Sequence, residues 1–124
     1  MTTDDIRVEN EHKRLCDLLD EAHIPKQQQD VLAPVIENLA WMRIKLDDSR
    51  RLIKNSGIVV HYDNGGGQKG IRENPAFKGY VSLMKVYLSA LEKYSSYFPK
   101  EMQAEIINNG RTTLDIVRQM KEAK

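Results

Sequence analysis

A chain of 124 residues, 40% hydrophobic and 30% charged, is long enough for one modest core and too apolar for wholesale disorder. A formal net charge of +1 announces no polyanion partner globally, and no apolar run approaches the roughly 20 residues that span a bilayer, so no membrane association is expected. The N-terminus MTTDDIRVENEHKR is acidic where a signal peptide is basic and then apolar, and Cys16 stands alone; both predict a cytoplasmic, reducing setting.

The pattern predicts a single, mostly α domain over residues 1–124: two long amphipathic helices joined by a short Gly-rich β-hairpin, with shorter N- and C-terminal helices. In the first helix, 4–22, Ile6, Leu15, Leu18, Leu19 and Ala22 recur at mostly helical spacing, and Asp4 and Asp5 suit the positive end of its dipole. Pro25 disfavours helix at Ile24 and is welcome in a new first turn, so a long helix is expected over 26–55. Val31, Val35, Leu39, Met42, Leu46 and Ile53 form its stripe, widened by Leu32, Ile36, Trp41 and Leu52. Pro34 removes a backbone donor inside this pattern and predicts a kink or a delayed start. KNSG then supplies cations for the C-terminal dipole and Gly57 for a left-handed cap.

Residues 58–72 read as a β-hairpin: IVVHY is β-branched and aromatic, DNGGGQ can reverse the chain, and KGIRE can return. Asn74 is a good N-cap and Pro75 suits the first position of a second long helix, 74–97, striped by Phe77, Tyr80, Val81, Met84, Tyr87, Leu88, Leu91 and Tyr94. Pro99 opens a last helix, 99–121, carrying Met102, Ile106, Thr113, Ile116, Val117 and Met120 on one face. So many apolar stripes in so small a chain predict self-association through one of the long helices, with a closed bundle as the alternative.

Motifs for catalysis are missing from this pattern. NGGGQKG lacks the order of a phosphate loop, Asp63 and Asn64 lack the later ligands of a calcium loop, and His12 with Cys16 makes half a metal site. His23 and His61 have no predictable partner, and Cys16 lies on a leucine-rich face. No enzyme activity, metal or cofactor is therefore expected. Charge, in contrast, is unevenly spread. Residues 1–30 carry twice as many acids as bases, whereas 31–91 hold nine bases (Arg43, Lys45, Arg50, Arg51, Lys54, Lys69, Arg72, Lys78, Lys85) against Glu37, Asp47, Asp48, Asp63 and Glu73. At about 100° per residue Arg43, Arg50 and Lys54 lie near one another, a strip able to neutralise phosphates or simply to pair with Asp47 and Asp48 on a solvated helix. Trp41 and the tyrosines read as packing residues.

A long helix closing in SRRLIKNSG, a valine-rich strand, a glycine turn and ENPAFKGYVSLMKVYLSALEKY together resemble the small terminase subunit of tailed phages and prophages. The resemblance covers roughly residues 35–98; Glu73-Asn74-Pro75-Ala76 with Tyr80 is its most specific part, and Gly57 and Gly70 are supporting. It implies a non-enzymatic homo-oligomer, often a ring, that recognises viral double-stranded DNA, regulates the large terminase subunit and works in the host cytoplasm. Arg43, Arg50, Arg51, Lys54, Lys69 and Arg72 would then contact phosphates, with Asn74 and Pro75 structural. The other function left open is a helical protein-interaction adaptor that binds no DNA.

Overall fold

The computed structural model describes residues 2–57, 59–63 and 69–109. Helix α1 spans Thr3–Glu21 and starts in a capping box: the Asp5 amide donates to Thr2 Oγ1 and the Thr2 amide to Asp5 Oδ2, both at 3.1 Å. Hydrogen bonding to Thr2, through its side chain first and its backbone amide second, holds the Asp5 carboxyl below its ordinary range. The helix ends in a Schellman turn, in which His23 N–H donates to Asp20 O and Ile24 N–H to Leu19 O. His23 takes the left-handed position usually given to glycine, with φ 58°. Buried Ile24 and Leu19 provide the apolar contact that goes with this motif.

Helix α2 runs Lys26–Ser56, with Pro25 as its extended N-cap rather than its first residue. Pro34 does not delay the start; the helix continues through it. Pro34 and Asp30 are both exposed, where water can replace the hydrogen bond that proline withholds from the Asp30 carbonyl. Gly57 closes α2 at φ 87°, ψ 169°, an extended positive-φ conformation essentially confined to glycine, in place of the expected left-handed helical cap.

Strands β1 (Val59–Asp63) and β2 (Lys69–Glu73) pair antiparallel from Val59↔Glu73 out to Asp63↔Lys69, which is the expected hairpin. Helix α3 spans Pro75–Ser95, and a fourth helix, α4, is described over 100–109. The remainder of the C-terminal helix expected to 121 lies outside the described residues.

Helix α2 packs against both α1 and α3. Leu15 and Leu19 from α1, Ile36, Leu39, Leu46 and Ile53 from α2, and Phe77, Tyr80, Met84 and Leu91 from α3 meet in one apolar cluster. Deep within it the Tyr94 hydroxyl donates to Leu15 O at 2.7 Å, fastening α3 to α1 across 79 residues of sequence. Burial pushes the Tyr94 hydroxyl's pKa up.

The stripes read from sequence are wider than the surfaces that become covered. Ile6, Val31, Trp41 and Leu52, all assigned to apolar faces, stand exposed, as do Val59, Ile71 and Val86. Only the arc of α2 that meets α1 and α3 is hidden; Trp41, expected to pack, instead lies under the ammonium of Lys45, 5.7 Å from the ring centre. Among the described residues, no helix is long and apolar enough to cross a membrane.

Candidate DNA-binding surface

Where α2 ends and α3 begins, the chain must leave a helix, form a hairpin and enter a second helix within a few residues. One side chain organises this junction. Asn74, only 6% exposed, accepts the Ala76 N–H on Oδ1 at 3.0 Å as the N-cap of α3. Its Nδ2 donates to Gly57 O at 2.8 Å and to Ser56 Oγ at 3.1 Å, clamping the end of α2. Ser56 Oγ in turn donates to Leu52 O at 2.7 Å, so the last turn of α2, the hairpin base and the first turn of α3 form one hydrogen-bonded unit. Pro75 fills the first position of α3, where its missing N–H costs nothing.

This junction gathers cations at one end of the molecule. Arg51 and Lys54 are exposed on the last turns of α2, Arg72 is exposed on β2 beside the clamp, and Lys78 is exposed one turn into α3. Lys69 pairs through its backbone with Asp63 at the far end of the hairpin, and Gly70 lies next to it opposite Tyr62.

Arg43 and Arg50 are placed differently. Their helical position, shared with Lys54, falls on the side of α2 that packs on α3, so their side chains are only 29% and 30% exposed. Both flank Asp47, with Arg43 Nε 3.7 Å and Arg50 Nη2 3.9 Å from Oδ1. These are ion-pair distances too long for hydrogen bonds. Arg43 also interacts with the hydroxyl of Tyr87. The strip expected to be free for phosphate is therefore split into a half-buried Arg43–Asp47–Arg50 group and exposed Lys54 and Arg51. Asp48, the other acid considered as a partner, is bound instead by Arg7 of α1 at 2.8 Å.

The Arg43–Asp47–Arg50 group borders an incompletely satisfied part of the core. Among the described residues, neither Asp47 Oδ1 nor the buried hydroxyl of Tyr80 has a hydrogen-bond partner. Burial, with Asp47 nearby, pushes Tyr80 up to about 12. Arg43 also lines a polar depression with Glu11, Arg14 and Asn109, but Arg14 is held there by bidentate bonds to Glu11, both 2.7 Å. Sequence reasoning missed the clamp role of Asn74 and the anchoring of Tyr94. An Asn-Pro pair signals a cap but not a second partner 17 residues back, and nothing in a tyrosine's position shows where its hydroxyl points.

His12 Nδ1 and Cys16 Sγ are 3.8 Å apart on α1, and burial together with Asp20 and Asp17 raises the thiol's pKa. Among the described residues, no group of three or more His, Cys, Asp or Glu side chains is placed to hold a metal ion. Comparison with protein-family models, curated proteins and solved structures returns no match.

Proposed function

We propose that this chain is a small terminase subunit of a tailed phage or prophage: a non-enzymatic, self-associating protein of the host cytoplasm that binds viral double-stranded DNA and regulates the large terminase subunit. The observation that carries the reading is the junction built on Asn74. It ties the end of α2 to the start of α3 on either side of a short hairpin, where Arg51, Lys54, Arg72 and Lys78 are exposed. Exposed cations around one junction suit a phosphate backbone, whose binding releases counterions and weakens steeply with salt.

Fluorescence anisotropy with duplex DNA across a salt series tests the DNA binding. Replacing Arg51, Lys54 and Arg72 together by glutamate should abolish it, and neutralising any one of the three should lower the log–log salt slope by about 0.9. Asp47→Asn should strengthen binding, because it frees Arg43 and Arg50 from their carboxylate. Absence of binding at low salt, or binding indifferent to the triple reversal, overturns the DNA part of the proposal. The pairing of Arg43 and Arg50 with Asp47 favours a second reading, a helical adaptor that docks on protein and leaves DNA alone. A folded monomer that binds no duplex DNA at low salt and does not copurify with the large subunit would select it.

A further inference from the structure

Trp41, Lys45, Asp48 and Leu52 follow one another along α2 at intervals of four, three and four residues. At 100° per residue they fall within a sector of about 60°, on the side of α2 turned away from the core. Trp41 is 51% and Leu52 57% exposed, two large apolar side chains about 16 Å apart along one face with the two charged positions between them. The order of the four is the same chemical pattern read from either end: apolar, charged, charged, apolar.

We infer that this face of α2 pairs with the same face of a second copy, the two helices antiparallel about a two-fold axis at the level between Leu46 and Asp47. Such an axis brings position 41 opposite position 52 and position 45 opposite position 48. Trp41 then covers the partner's Leu52 and Lys45 reaches the partner's Asp48, each contact occurring twice. Arg7 Nη1 bonds Asp48 at Oδ1, and a carboxylate has a second oxygen for the lysine. Lys45, at present over the Trp41 ring, needs only to swing away from it.

Charge selects the orientation. A parallel pair in register sets Lys45 on Lys45 and Asp48 on Asp48, whereas the antiparallel pair sets opposite charges together and opposes the helix dipoles. The pairing rests on the self-association part of the proposed function and is independent of DNA.

Trp41 is the chain's one tryptophan, so its emission reports on this face directly. Sedimentation velocity across the micromolar range should show a monomer–dimer equilibrium, with Trp41 emission shifting to the blue as dimer forms. Leu52→Glu should weaken the dimer about tenfold or more, which is a change of about 1.4 kcal/mol or more. Lys45→Asp and Asp48→Lys chains should each be monomeric alone yet dimerise when mixed, because every facing pair in the mixture is then Asp against Lys. Circular dichroism confirms that each variant is folded. A wild-type chain that stays monomeric throughout overturns both this pairing and self-association. An oligomer unaffected by Leu52→Glu, or charge variants that fail to dimerise on mixing, overturns the pairing and leaves self-association standing.

Discussion

Asn74 does two jobs with the two ends of one amide, and a single substitution separates them. Aspartate caps a helix as well as asparagine does, but it has no N–H to give Gly57 O and Ser56 Oγ. Asn74→Asp should therefore keep the cap and still lose about 1–3 kcal/mol in urea unfolding, since a half-buried carbonyl is left facing a carboxylate. An unchanged midpoint would mean that capping is all Asn74 contributes. His23 gives a prediction of opposite sign. Its φ of 58° costs a side chain about 1 kcal/mol and costs glycine almost nothing, so His23→Gly should stabilise the protein by about 0.5–1 kcal/mol, read as a modestly higher thermal midpoint. At this scale the sequence was only partly legible: Asn74 and Pro75 announce a helix start, whereas the histidine in a glycine's place gives no signal because the Schellman turn is defined by backbone geometry.

Helix α2 is the element on which the others depend, and it carries a proline well inside its length. Pro34 is exposed, so replacing it loses little packing. Pro34→Ala should restore a donor to the Asp30 carbonyl and stabilise the protein by about 1–3 kcal/mol, read as a higher urea midpoint with the m-value unchanged. A destabilised variant would indicate that the proline shapes α2 to fit α1 and α3. Elements of this kind were well marked in the sequence. Long stripes at three- and four-residue spacing, the Gly57 break and the Asn-Pro start fix α1, α2, the hairpin and α3 to within a residue or two. What periodicity cannot show is how much of a stripe becomes covered. A 31-residue helix with apolar groups over more than half its circumference packs on α1 and α3, and Trp41 and Leu52 lie outside both interfaces. The same limit applies to the cations: Arg43 and Arg50 share a side with Lys54, yet those two are half-buried beside Asp47 while Lys54 is exposed.

For the molecule as a whole, the core is studded with tyrosines whose hydroxyls are kept from water. Burial is the foremost cause raising Tyr80, Tyr87 and Tyr94 above their ordinary value near 10. A raised value in the folded state means that the folded chain holds these protons more tightly, so their contribution is fully present below pH about 10 and is lost as pH rises beyond it. Thermal midpoints should accordingly fall steeply on the alkaline side of about pH 10, with tyrosinate absorbance appearing together with loss of helical ellipticity. Tyrosinate forming well before unfolding would show that the hydroxyls are accessible in the native state. The bond from Tyr94 to Leu15 also has a bearing on biosynthesis. A ribosome delivers α1 and α2 long before the residue that fastens α1 in place, so the nascent pair emerges with its oily groove uncapped and has to wait for α3 to follow before it can close.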